Sequence, residues 1–268
     1  MNKITIIGSG NIGLSLARGL VDKAYCPAKN ITLTRRNIQQ MTAEVSQGFQ
    51  VSNQNREAVS GATIVVLAVL PQQLNTVLDE ISGAIDAEKH LIVSVISGVT
   101  CANIRAKLGN NVQVIRAMPN TAIAIGQSMT CVASDKASDS NIQTVLGLFD
   151  TVGSTVHINE DLMTSATALC ACGIAFFLRS IRAASQGGVE IGFHANEALK
   201  MAVQTAKGAA ELLIHHQSHP ESEIDKVTSP KGCTIAGLNE MEHFGFSSSL
   251  IKGIKLSALK AGGLYEGG

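Results

Sequence analysis

Two short stretches hold residues whose types and spacing can do chemistry. The first is "GSGNIG", Gly8 to Gly13, directly after the apolar run "ITII" and at the start of a helical pattern carrying Ile12, Leu16 and Leu20. A G-x-G-x-x-G run is a weak signal alone and a strong one between a strand and a helix. Gly8 permits the tight turn, Gly10 lets backbone approach a pyrophosphate, and Gly13 lets helix pack closely on strand. The helix start then offers free N–H groups and a partial positive charge to phosphates. The second stretch is "TSPKGCTIAG", Thr228 to Gly237, with three hydroxyls, a proline, two glycines and a thiol. Thr228 or Ser229 is placed to cap a helix, Pro230 suits a first turn, and Gly232 allows close backbone approach. The N–H groups of Gly232 to Thr234 are expected to face an anion, with the Thr234 hydroxyl at hand to orient a proton. The plainer reading is an ordinary capped helix start between two packed helices.

A dinucleotide whose ribose carries a free 2′-hydroxyl is usually held by an Asp or Glu after the second strand. Here that strand, Asn30 to Thr34, runs into Arg35 and Arg36. Arginine holds a 2′-phosphate bidentately, so NADPH is expected and NADH remains possible. Which arginine makes the contact stays open.

The elements that must position these residues alternate through the first half. Strands are expected at Lys3–Gly8, Asn30–Thr34, Thr63–Val69, His90–Ile96 and Val112–Met118, then in "SMTCVAS" and "STVHI", with a helix around Leu74–Ile85. The continuous β-branched runs suit strands buried on both faces of a parallel sheet. Strands alternating with helical patterns mean βαβ units and a doubly wound sheet. After Ile158 no strand pattern returns. Glu197 to Ile214 puts Leu199, Ala202, Val203, Ala206, Ala210 and Leu213 on one helical face. The expected division is residues 1–158 as an α/β dinucleotide-binding domain and 159–268 as an all-helical domain.

Composition narrows the function. Among 268 residues, 21 acidic and 21 basic side chains balance, and no Lys/Arg-rich run exists, which argues against nucleic acid. The longest uninterrupted apolar run, Ala62 to Leu70, is too short for a bilayer, and "MNKITIIGSG" is not a signal peptide. A cytoplasmic protein without membrane contact is expected. The six cysteines form no C-x-x-C pair and are expected to be free thiols. "HHQSH", His215 to His219, lacks acidic or Cys partners at ligand spacing and reads as a solvated helix end, so no metal is expected.

"AVLPQ", "SVISGV" and "RAMPNT" at successive strand ends, together with "TSPKGCTIAG", resemble the pyrroline-5-carboxylate reductase family over essentially the whole chain. The resemblance implies a Rossmann-type N-terminal domain and an all-α C-terminal dimerisation domain. It implies reduction of 1-pyrroline-5-carboxylate to L-proline with NADPH or NADH, by a homodimer or larger homo-oligomer. It also implies an active site between the nicotinamide and the helical domain of a second subunit. Carried over residue by residue, Ile7, Gly8, Ser9, Gly10, Asn11 and Ile12 hold the pyrophosphate, and Asn55 lies near the adenosine ribose. Ala68, Val69, Leu70 and Pro71, with Val95, Ile96 and Ser97, line the cofactor. Met118, Pro119, Asn120 and Thr121 border nicotinamide and substrate. Glu160 lies beside the substrate, which Ser229, Gly232, Cys233 and Thr234 hold, Thr234 being the catalytic candidate.

The chain departs from the family pattern at three places. Leu70 stands where a Lys is usual, "CACGIAF" (Cys170–Phe176) where S-G-S-G-P-A-Y is usual, and Lys231 where a Gly is usual. The alternatives are a reductase of another cyclic imine or a small hydroxy acid, or a non-catalytic nucleotide-sensing relative. The stretch Leu162 to Ser185 contains no Lys of the kind hydroxy-acid enzymes use.

Overall fold

A computed structural model describes residues 2–264. Eight strands form a single sheet: β1 (Ile4–Ile7), β2 (Ile31–Thr34), β3 (Gln50–Ser52), β4 (Ile64–Leu67), β5 (Leu91–Ser94), β6 (Gln113–Met118), β7 (Ser128–Ala133) and β8 (Gly153–His157). Their order is β3-β2-β1-β4-β5-β6-β7-β8. All neighbours are parallel except β6 and β7. The helices between them are α1 (Asn11–Asp22), α2 (Thr42–Ser46), α3 (Asn55–Ser60), α4 (Leu74–Ile81), α5 (Cys101–Leu108) and α6 (Asp139–Asp150). After β8 come α7 (Met163–Ala166), α8 (Gly173–Glu190), α9 (Ala195–His216), α10 (Pro220–Lys226), α11 (Cys233–His243) and α12 (Phe246–Ala261).

The register explains why the loops with chemical residues gather. Ile7 pairs with Thr34 and Leu67, Leu67 with Ser94, and Ser94 with Arg116. The loops that follow β1, β2, β4, β5 and β6 therefore all emerge at the carboxyl edge of the sheet. Open α/β sheets bind ligands at this edge, where the strand order reverses, here between β1 and β4. β1, β4 and β5 are buried along their whole lengths, with side chains alternating between two apolar clusters. Ile6 and Leu33 belong to the cluster with α1, and Ile7 and Leu67 to the cluster with α4 and α5.

Every expected strand forms. β3 is an addition: three residues, none fully buried, too short and too exposed to show an apolar pattern. The helix expected to reach Ile85 ends as an α-helix at Ile81 and continues as a 3₁₀ turn, Ser82–Ala84.

One compact unit takes in the chain up to Cys172 together with the residues from Leu256, and the second is Gly173–Lys255. The last strand ends at His157, beside the expected change of character at Ile158, while the compact division falls after the next helical turns. Within the second unit, α8 and α9 pack so closely that a Cβ on Gly188 would lie 2.9 Å from Cβ of Ala198. The apolar face expected on α9 is only partly used: Leu199 and Val203 stay nearly half exposed. Phe177, Leu178, Met201, Phe244 and Ile251 are open as well. The continuous helical run Glu160–Glu190 has a mean hydropathy of 1.6 over its most apolar window, of which 28% is buried. Length and composition alone would let it cross a membrane. No uninterrupted apolar run in the sequence has that length, because Arg179 and Arg182 lie within it.

Candidate functional site

The strand–turn–helix at the N-terminus has the geometry its glycines imply. Gly8 has φ of +100°, and a Cβ there would sit 2.4 Å from the carbonyl oxygen of Ala68. A Cβ on Gly13 would lie 2.2 Å from the carbonyl oxygen of Gly8. Both positions exclude a side chain because neighbouring backbone fills the space. Gly10 is different, since a Cβ there would meet nothing within 4 Å. Its lack of a side chain serves no internal contact and leaves room for an incoming group. Gly10 is also the N-cap of α1, with no side-chain cap and no acid in the first turn. The N–H groups at the start of α1 are thus available to an anion. Ser9 is held against β2, its N–H and hydroxyl both donating to the carbonyl of Thr34 at 3.2 and 2.9 Å.

A cleft of about 500 Å³ opens over this turn. Ile7, Gly8, Ser9, Gly10, Arg35, Arg36, Asn55 and Val69 all line it. Thr34, Asn37, Asn53, Gln73, Thr76, Val77 and Glu80 also line it and were not singled out from sequence. Asn53 could not be, because its position depends on β3. Asn55 Nδ2 donates to Glu80 Oε2 at 2.9 Å, which joins α3 to α4 across the cleft wall. Arg35 and Arg36 are exposed at the end of β2, and no acid accompanies them there. Asn11 and Ile12 line a separate, smaller pocket with Thr121 and Ile123.

The remaining expected cofactor residues lie along the same sheet edge without lining the main cleft. Ala68 N–H donates to Ile7 O at 2.8 Å, and Val95 N–H to Leu67 O at 3.0 Å, continuing the ladder beyond the strands. Leu70 is largely exposed, and Pro71 opens a 3₁₀ turn. Ile96 is buried, and the Ser97 hydroxyl donates to Met118 Sδ at 3.7 Å. Asn120, after Pro119, is fixed from three sides. Its N–H donates to Ser128 Oγ at 3.0 Å, its Oδ1 accepts from Ala122 N–H at 3.0 Å, and its Nδ2 donates to Cys170 O at 3.2 Å.

Glu160 lies in a charged cluster beneath this edge. Its Oε1 accepts from the N–H of Cys101, at the start of α5, at 2.7 Å, and Arg116 Nη1 approaches the same oxygen at 3.4 Å. Nearby, Arg105 grips Asp135 with both Nη atoms. That bond holds the Asp135 carboxyl below the ordinary carboxylate value. Burial lowers the Arg116 guanidinium from its usual value, and Glu160 works in the opposite direction. Burial, with Glu160 next, pushes the Cys101 thiol up to about 12. Ligating atoms of Cys101, Asp135 and Glu160 lie within 4.8 Å of one another. Arginines approach both carboxylates, and burial favours the protonated thiol, so these groups form a linked charge network. Arg116 Nε is buried without a partner among the described residues, so this network is not fully satisfied.

In the second unit, Ser229 to Gly232 form a tight turn. Gly232 N–H donates to Ser229 O at 2.9 Å, with Pro230 and Lys231 between them. Lys231 has φ of +58°, the left-handed conformation that the third position of a type II turn requires and that Gly normally supplies. Glycine suits position 232 too, since a Cβ there would lie 2.9 Å from the backbone oxygen of Ser229. The turn corrects three expectations. Neither Thr228 nor Ser229 caps α11: the Thr228 hydroxyl donates back to Ile224 O at 2.7 Å, and Pro230 lies in the turn rather than in the helix. The N–H of Gly232 is committed to the turn, so the free donors begin one residue later, at Cys233. Gly232 is the N-cap of α11, with no side-chain cap. Cys233 is exposed and Thr234 half-buried in the first turn. The histidines end α9 and start α10, where His219 Nδ1 accepts from Glu221 N–H at 3.3 Å.

A mainly parallel sheet with a glycine turn, an open cleft at the strand-order reversal and an uncapped helix start define a Rossmann-type dinucleotide-binding protein. Residues 3–98 match the family described as NADP oxidoreductase, coenzyme F420-dependent, and residues 160–264 the family described as Pyrroline-5-carboxylate reductase dimerisation. The chain is 48% identical to Pyrroline-5-carboxylate reductase 1 of Dictyostelium discoideum over 98% of its length, and spans 50% of that relative. It is 44% identical to Pyrroline-5-carboxylate reductase 2 of the same organism, with 96% of this chain and 91% of the relative covered. A solved pyrroline-5-carboxylate reductase from Coxiella burnetii superposes with a TM-score of 0.92 at 26% identity, covering 99% of each chain. The chain belongs to the pyrroline-5-carboxylate reductase family.

The strained position in the turn gives a direct test. Left-handed backbone costs a non-glycine residue roughly 1–2 kcal/mol, partly offset by the greater unfolded-state freedom of glycine. Lys231→Gly is therefore expected to raise stability by about 1 kcal/mol in urea unfolding, and unchanged or lowered stability would contradict the strain.

Proposed function

We propose that this protein reduces 1-pyrroline-5-carboxylate to L-proline, with NADPH as the preferred reductant. The observation that carries the reading is the uncapped α1 start beneath Gly10, opening on a cleft with Arg35 and Arg36 at its rim. Family membership supplies the substrate class.

The bound dinucleotide supplies a hydride for the imine carbon. The protein's share is binding, orientation and charge. Backbone N–H groups of α1 hold the pyrophosphate, and Gly10 leaves it room. Arg35 or Arg36 neutralises the 2′-phosphate. Asn120, with all its polar atoms engaged, fixes the loop after β6. At α11, the N–H groups of Cys233 and Thr234 hold the substrate carboxylate. The Thr234 hydroxyl meets the ring nitrogen and orients its proton. Glu160 acts through its hold on the α5 start and Arg116 rather than by touching substrate. The exposed apolar side chains of α8, α9 and α12 are covered by a second copy of the chain, as expected of a dimerisation domain. We place the protein in the cytoplasm, where its cysteines stay reduced.

Purified protein mixed with NADPH and pyrroline-5-carboxylate is expected to consume NADPH and form proline one for one, and no proline at any protein concentration would overturn the reading. Thr234→Ala is expected to lower kcat on the order of 10²-fold with little change in NADPH affinity, whereas an unchanged kcat removes the hydroxyl from the chemistry. Removing the phosphate contact, whichever arginine makes it, in Arg35→Ala/Arg36→Ala is expected to raise the KM for NADPH about 10- to 100-fold and to leave that for NADH nearly unaltered. An equal effect on both cofactors would rule out the phosphate clamp.

A further inference from the structure

Four of the six cysteines have separate environments, but one pair is brought together. Cys131 on β7 and Cys170 lie 39 positions apart in sequence, with sulfurs 3.7 Å apart. Cys131 is buried and Cys170 half-buried. Cys131 pairs across the sheet with Met118, and the carbonyl of Cys170 accepts from Asn120. The thiol pair therefore sits directly behind the loop assigned to the nicotinamide. Cys170 also lies within one of the departures from the family pattern, "CACGIAF".

The geometry points to Cys131 and Cys170 as a dithiol that a hydroperoxide converts to an intramolecular disulfide. Three features support it. Disulfide formation needs the sulfurs to close from 3.7 Å to about 2.05 Å. Cys170 lies in a π-helical turn, Thr167–Cys172, which holds one residue more than an α-helical turn and can tighten without unwinding its neighbours. The hydrogen bond between the thiols holds Cys170 below the ordinary thiol range, with burial opposing, while the same bond and burial push Cys131 up. One thiolate and one proton-bearing partner is the arrangement that stepwise oxidation uses.

The steps balance. The Cys170 thiolate attacks one peroxide oxygen, the O–O bond breaks, and the other oxygen leaves as hydroxide and is protonated to water. The resulting Cys170 sulfenic acid is attacked by the sulfur of Cys131, which gives up its proton, and the sulfenic oxygen leaves as a second water. Two thiols lose two electrons and two protons, and one hydrogen peroxide becomes two waters. The product ties β7 to the turn whose carbonyl anchors Asn120. The inference concerns the thiols alone and stands whether or not the chain reduces the proposed imine.

The reduced full-length protein is treated with hydrogen peroxide under native conditions, alkylated with N-ethylmaleimide, digested and analysed by mass spectrometry. Two of the six thiols are expected to be lost, in one cross-linked peptide pair containing Cys131 and Cys170, and recovered with dithiothreitol. In Cys131→Ser, and in Cys131→Ala as a second variant whose fold is checked by circular dichroism, the cross-link is expected to vanish. In Cys131→Ser, whose hydroxyl can still donate to Cys170, Cys170 then accumulates as a sulfenic acid that dimedone traps. Full alkylation of all thiols after peroxide, a Cys170–Cys172 bridge, a bridge between subunits, or equal thiol loss in the Cys131 variants would each overturn the proposal.

Discussion

A helix cannot satisfy the N–H groups of its own first turn, and that single constraint organises the chemistry of this protein. Some helices close the vacancy with side chains. Thr100 and Asn103 form a capping box on α5, Ser138 caps α6, and His219 caps α10. At α1 and α11 no side chain does so, and in each the N-cap is a glycine. In the proposed function, the first meets the pyrophosphate and the second the substrate carboxylate. The parallel sheet serves the first by delivering its loops to one edge, and the tight turn at Ser229–Gly232 serves the second by exposing α11's first turn.

The three glycines of the α1 turn do different work inside the fold. Gly8 and Gly13 around the α1 start are excluded from carrying side chains by backbone oxygens at 2.4 and 2.2 Å. Gly10 between them has open space. The turn is thus rigid on both sides of a position left free for a ligand. Rigidity matters because orientation is most of what a protein contributes when the cofactor carries the reactive electrons. The Asn120 loop follows the same logic, since a residue anchored through its backbone N–H and both side-chain polar atoms cannot wander.

Much of this was legible in the sequence because it depends on local patterns. β-branched runs gave the buried strands, and glycines at fixed offsets gave the turn. What was not legible depends on tertiary partners. β3 is too short and exposed to show a period, so Asn53 could not be placed in the cleft. Glu80 and Thr76 reach the cleft from α4, which carries no nucleotide signature. Glu160 reads as a pocket residue by resemblance, yet its carboxylate is engaged by Cys101 N–H and Arg116, 59 and 44 positions away. Thr228 and Ser229 have the composition of caps, but the left-handed Lys231 turns the chain before α11 begins. The helical face of α9 was visible, while its exposure in a single chain was not, because a pattern of apolar residues does not say which chain covers them.

The central claim is that the open position at Gly10 and the free N–H groups of α1 hold the dinucleotide's pyrophosphate. It is tested most directly by titrating NADPH into the protein and into Gly10→Val, following binding calorimetrically beside urea unfolding of both. A Cβ at this position meets nothing in the protein, so stability is expected to fall only by the lost N-cap preference, about 1 kcal/mol. The dissociation constant for NADPH should rise by at least about tenfold, equivalent to about 1.4 kcal/mol. Equal affinity in the two proteins would contradict the account.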